Sequence, residues 1–257
     1  MLEKQRTIEK EVSIEGTGLH TGTTCKLTFK PAPENYGIRF IRVDLGDKPE
    51  IPATADYVVD VSRGTTIGIG DAKVHTIEHV LAAIVGLQID NIKLEIDGIE
   101  PPVMDGSSMS FVTKLKEAGF VQQDANKDYL IIDETITYKN EEEQVEFVAL
   151  PSNSYRMTVL VDYQNPALGS QHSGMFDIQE FVAQKPPAQQ PIFLNRLNSA
   201  AAWFLRSVHR SCESGSAGVE HYCVLPDTHL GLRPPHYWLA RLAQVVQEPH
   251  QPDRAPC

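Results

Sequence analysis

The stretch "VHTIEHVLAAIVGLQIDNIKLEID", residues 74–97, decides the fold. Its first part is apolar and rich in helix formers, and it reads as a helix over 76–85 stopped by Gly86. Its last part alternates, with Ile92, Leu94 and Ile96 on one face, as a half-buried strand should. Other alternating runs surround it: TTCKLTFK (23–30) and GIRFIRV (37–43) before, and YLIIDETITY, EQVEFVALP and RMTVLVDY after. Strands interspersed with helices read as a mixed α/β protein in this first part, and α+β is the expected fold class. SRGTTIGIGDAKV is read as a Gly-rich turn region, and IEPPVMDGSS as a Pro/Gly turn. Ser107 or Ser108 would cap a second helix ending at Gly119. The polar run QQDANKD (122–128) is read as a linker, after which the strand patterns begin again, although no repeat shows in the residues.

The opening of the helix carries chemistry. H-T-I-E-H fits the H-x-x-E-H pattern of the inverted zinc proteases. In that reading His75 and His79, four apart, would share a helix face and one ion, and Glu78 would act on a metal-bound water. The bland alternative is a buried helix, with His75 at its surface end and His79 hydrogen-bonded in the core.

Composition bounds the rest. The 257 residues are 41% hydrophobic and 22% charged, with a net charge of −11, which argues against nucleic-acid binding. No apolar run approaches the ~20 residues of a membrane span. The charged N-terminus is unlike a secretory signal, so a cytoplasmic protein is expected. Four cysteines with no C-x-x-C pair make no disulfide framework, and Cys25 is read as a buried thiol. Near residue 184 the character changes. Residues 1–183 carry a net −13 and residues 184–257 a net +2. The later segment holds 9 of 17 prolines, 3 of 4 cysteines and both tryptophans, and its helical-looking pieces are roughly 196–208 and 236–247.

Five blocks together resemble the zinc-dependent UDP-3-O-acyl-N-acetylglucosamine deacetylases of lipid A synthesis. They are GTGLHTG (16–22), SRGTT (62–66), HTIEHVLAAIVGLQIDNIKLEIDG (75–98), EPPVMDGSSMSFV (100–112) and VDYQNPALGSQH (161–172). The resemblance covers about 1–183. It implies two similar domains, each a β-sheet layered on a helix pair, with the site at their junction. The expected divisions are a first domain at 1–124, the start of a second domain at 128–183, and an anomalous tail at 184–257. By resemblance His79 is a Zn²⁺ ligand, Glu78 is the general base, and His75 is not a ligand. His20 and Leu19 would border the substrate, and Thr65 and Thr66 would donate hydrogen bonds to it. Asp105 is read as a turn residue and His172 as a surface residue. The expected substrate is UDP-3-O-acyl-N-acetylglucosamine, acted on by a monomer with no nucleic-acid partner. The family's remaining ligands, a His and an Asp four residues apart, and a later Gly-His element would fall after residue 183. Residues 184–257 contain no H-x-x-x-D and no Gly-His pair. A catalytically inactive remnant therefore stands beside the enzyme reading, with the H-x-x-E-H protease behind both.

Overall fold

The computed structural model describes residues 3–61, 64–129, 132–141, 145–152, 155–162, 170–176, 178 and 219–226. The expected α+β fold is what it shows. The chain opens with β1 (Lys4–Ile8), β2 (Val12–Thr17), β3 (Thr24–Pro31), β4 (Ile38–Arg42) and β5 (Glu50–Pro52). A small meander follows: β6 (Val58–Asp60), β7 (Thr66–Ile69) and β8 (Ala72–Val74). Then come α1 (Glu78–Gly86), β9 (Ile92–Ile96), α2 (Met109–Ala118) and β10 (Phe120–Asn126). The second half adds β11 (Ile136–Asn140), β12 (Val145–Pro151), β13 (Arg156–Asp162), β14 (Ser170–Met175) and β15 (Val219–Pro226).

The first sheet runs β2-β3-β9-β4-β5, with all neighbours antiparallel except the β4–β9 pair. Register stacks the apolar positions read from the sequence: Leu27 opposes Ile96, and Phe29 and Phe40 flank Leu94. All five side chains are fully buried. α1 is apolar all round, with Val80, Leu81, Ala82, Ala83, Ile84 and Val85 buried, so it is an interior helix rather than a surface one. α2 packs beside it through Phe111, Val112 and Leu115, and Phe111 meets Phe29 edge-on at 6.4 Å.

Several expected boundaries move. α1 starts at Glu78, two residues later than expected, because Thr76 sits at φ +52 and interrupts the helical path. Gly86 is the last helical residue, and the left-handed position beyond it is taken by Gln88 at φ +55. The Gly-rich segment is not merely a turn: β7 and β8 form a hairpin about Gly70, at φ +55. The polar run 122–128 is not a free linker, since β10 pairs antiparallel with β1. Its polar residues are pinned by side chains. Glu34 accepts from the backbone N–H groups of Asp124 and Ala125, and Gln123 bonds Asn91 and the carbonyl of Ala32. Ser108 occupies the cap position of α2, but the capping bond comes from Ser107, whose Oγ accepts from the Met109 N–H at 3.1 Å. Gly119 ends α2 with φ +72, as expected.

The second sheet runs β11-β12-β15-β13-β14, antiparallel throughout except the β13–β15 pair. That is the strand order of the first sheet, with the single parallel pair in the same place. The repeat absent from the residues is present in the hydrogen-bonded ladders. Its central strand comes from beyond residue 183, where no strand was expected, so an end at 183 omits the middle of this sheet. VEHYCVLP lacks the clean alternation that marks a strand with one wet face, and a central strand does not need it. The helical-looking pieces at 196–208 and 236–247, with His209, Asp227, His229, His236 and His250, lie outside the described residues.

Candidate active site

Glu78 is the first residue of α1 and is 1% exposed. A carboxylate at a helix N-terminus is stabilised by the unpaired N–H groups and the dipole there. The Thr65 backbone brackets it. The Thr65 N–H donates to Glu78 Oε2 at 3.1 Å, and the Thr65 carbonyl accepts from the Ile77 N–H at 3.3 Å. Gly64 leaves little room here: a Cβ there would stand 3.1 Å from Glu78 Oε1 and 3.3 Å from Thr76 Oγ1, so the carboxylate would have to give way slightly. The Thr65 hydroxyl is buried and has no hydrogen-bond partner among the described residues. Ser62 and Arg63, which open the same block, lie outside the described residues.

His79 follows on the same turn, half-buried, with Nδ1 wholly inside the protein. His75 is placed differently. It lies before the helix, its N–H bonds the Ile99 carbonyl at 2.8 Å, and its Nδ1 meets the Thr66 hydroxyl at 2.8 Å. Burial lowers its pKa against the raising effect of Glu100 and Asp60. With Thr76 outside helical geometry, His75 and His79 are not four residues apart on one helix, and the two-histidine protease arrangement loses its basis. The Thr66 hydroxyl, expected to face substrate, is held by His75.

Leu19 and His20 lie exposed on the tight loop between β2 and β3, at the surface where a substrate border was expected. Asp105 is a turn residue, its Oδ1 accepting from the N–H and Oγ of Ser107. His172 is exposed on β14. Residues 163–169 of the fifth block lie outside the described residues. Cys25 is a buried free thiol, pushed up to about 12 by burial and by Asp97.

A residue the sequence reading passed over is Glu100, also 1% exposed. It accepts from the N–H groups of His20 and Thr21 and from the hydroxyls of Thr21 and Thr76. Burial raises its pKa, but these donors outweigh burial and hold the carboxyl below its ordinary range. The signal was faint: a charged residue directly ahead of two prolines, in a segment that otherwise reads as a turn.

A catalytic zinc ion needs three protein ligands and an open position. The imidazole of His79 fits as one of them. Among the described residues there is no group of three or more His, Cys, Asp or Glu that could hold a metal ion, so they do not complete the set.

The chain is an α+β protein built on a repeated five-stranded ladder, with a carboxylate and an imidazole at the head of a buried helix. Comparison with known proteins narrows this description. The family model described as "LpxC: UDP-3-O-acyl N-acetylglycosamine deacetylase" matches residues 5–198. The chain is 58% identical over 202 residues to a bifunctional enzyme LpxC/FabZ of Chlorobaculum tepidum, covering 78% of this chain and 43% of that protein. It is 40% identical to the UDP-3-O-acyl-N-acetylglucosamine deacetylase of Myxococcus xanthus, covering 65% and 52%. It is 42% identical to that of Bdellovibrio bacteriovorus, covering 65% and 55%. This chain belongs to the UDP-3-O-acyl-N-acetylglucosamine deacetylase family. It spans about half the length of the curated relatives it matches.

Proposed function

We propose that the chain carries the base-bearing half of a zinc-dependent deacetylase site that removes the N-acetyl group of UDP-3-O-acyl-N-acetylglucosamine in lipid A biosynthesis. The observation that carries this reading is Glu78: a buried carboxylate at a helix start, one residue before a half-buried imidazole, in a family of deacetylases. Bound zinc would supply Lewis acidity and a nucleophilic water at neutral pH. His79 is its ligand from this half. Glu78 takes the proton from the attacking water and returns it to the departing amine, so acetate and a free glucosamine nitrogen result. Thr65 orients Glu78 through its backbone N–H, and its buried hydroxyl, without a partner among the described residues, is a donor for the substrate. Thr66 acts one step back, by fixing His75. His20 and Leu19 border the substrate. No helix among the described residues is long and apolar enough to cross a membrane.

The test is acetate release from the acylated UDP-sugar by the chain and by Glu78→Gln. The expected loss in the variant is on the order of 10²–10⁴-fold. Retained turnover would remove Glu78 as the base.

A second reading, an inactive remnant, has its own observation. No three-residue metal group occurs among the described residues, and no H-x-x-x-D follows residue 183. Absence of acetate release from wild-type chain, with the fold intact, would establish it.

A further inference from the structure

Glu100 has no part in the proton transfers above, yet it is as deeply buried as Glu78. Among the described residues its four donors belong to two segments. The His20 N–H approaches both carboxylate oxygens, at 3.2 and 3.0 Å, and the Thr21 N–H and Oγ1 each reach Oε2 at 2.9 Å. Thr76 Oγ1 reaches Oε1 at 2.8 Å. No Lys or Arg forms an ion pair with Glu100 among the described residues. A buried carboxylate answered by hydrogen bonds instead of a cation depends on the placement of each donor.

Both segments are shaped around it. At Gly18 a Cβ would stand 2.6 Å from Glu100 Oε2 and 2.5 Å from Thr21 Oγ1, so the loop closes on the carboxylate only with glycine there. Thr76 takes φ +52, a conformation that a β-branched residue rarely adopts. Its hydroxyl bond to Glu100 helps to hold it there, and strain of this kind persists only where its surroundings enforce it. Thr76 lies two residues before Glu78, and its Oγ1 and Glu78 Oε1 close on the same Gly64 position.

We infer that Glu100 is a positioning residue, whose carboxylate fixes the His20 loop and the Thr76 strand-to-helix turn to each other and so sets where His20 stands relative to Glu78 and His79. The functional meaning of that link rests on the deacetylase reading, but the link itself can be tested without turnover. A carboxylate that merely stabilised the fold would, when altered, loosen the whole first sheet alike.

The experiment is residue-resolved amide hydrogen exchange on the full chain, for wild type, Glu100→Gln, Thr76→Val and Thr76→Ser, with the His20 ring proton followed by NMR. In Glu100→Gln the His20 and Thr21 amides should exchange about tenfold faster, the scale of one lost charge-assisted bond, while Phe29 and Leu94 in β3 and β9 keep their rates. The His20 ring resonance should shift in Glu100→Gln and in Thr76→Val, and return in Thr76→Ser, which keeps the hydroxyl. Unchanged His20 and Thr21 exchange, or acceleration of Phe29 and Leu94 by the same factor, would overturn the inference. So would a Thr76→Ser variant that behaves like Thr76→Val. Acetate release is scored separately: its absence from wild type would defeat the deacetylase reading and leave the exchange result standing.

Discussion

The two five-stranded sheets share one strand order and differ in what they cover. In the first, Phe29, Phe40, Leu94 and Ile96 are 0% exposed, and α1 and α2 complete the core. In the second, the described buried residues are Ala149 at 1%, Val159 at 4%, Phe147 at 5%, Met157 at 7% and Met175 at 8%. Backbone hydrogen bonding is enough to make the same ladder twice. Function needs more, because Glu78 and His79 come from the segment between β5 and β9, which leads into the central strand of the first sheet. By topology the corresponding segment of the second unit is 176–218, between β14 and β15. Its sequence contains no H-x-x-x-D. The two units therefore share a ladder, while the Glu78–His79 pair belongs to the first.

The sharpest contrast in stability should come from the two phenylalanines. Phe29→Ala should cost about 3–5 kcal/mol, since it empties a fully enclosed site and removes the edge contact with Phe111. Phe147→Ala should cost clearly less in the same chemical denaturation experiment, because its site is less enclosed. Equal costs would mean that the second sheet is as tightly covered as the first.

A backbone change probes the ladders directly. Tyr222 pairs with Val148 on one side and Thr158 on the other. Tyr222→Pro removes a donor from the central strand of the second sheet. Amide protection should fall in β12 and β13 and stay unchanged in β3 and β9. Protection lost in both sheets would make them one cooperative unit.

The smallest expected effect is a titration. The Glu100 carboxyl lies below its ordinary range when folded, so its stabilising contribution is present above the unfolded value, ~4.3, and is lost as pH falls through the folded one. The Thr21 amide resonance should hold steady through the ordinary carboxylate range and move only below it. Movement centred on the ordinary value would show that the donors around Glu100 are weaker than their geometry indicates.

Much of the first unit was legible in advance. Alternation marked Ile92, Leu94 and Ile96, and Gly119 marked the end of α2. The Glu78–His79 pair stood out through the H-x-x-E-H pattern and the family resemblance. What stayed hidden depends on contacts far apart in sequence. β10 looked like a linker because its own residues are polar, and it is a strand because Glu34, Asn91 and β1 hold it. Glu100 gave no pattern because its partners His20 and Thr21 are about eighty positions away. The conformation of Thr76, which moves the helix start and separates His75 from His79, follows from packing that no periodicity encodes.

The most direct test of the central claim is zinc per chain on purified, dialysed protein, measured beside His79→Ala. A deacetylase site completed by the rest of this chain should hold close to one zinc, and the variant should hold almost none. Near-zero zinc in the wild-type chain, or zinc unchanged in the variant, would contradict it.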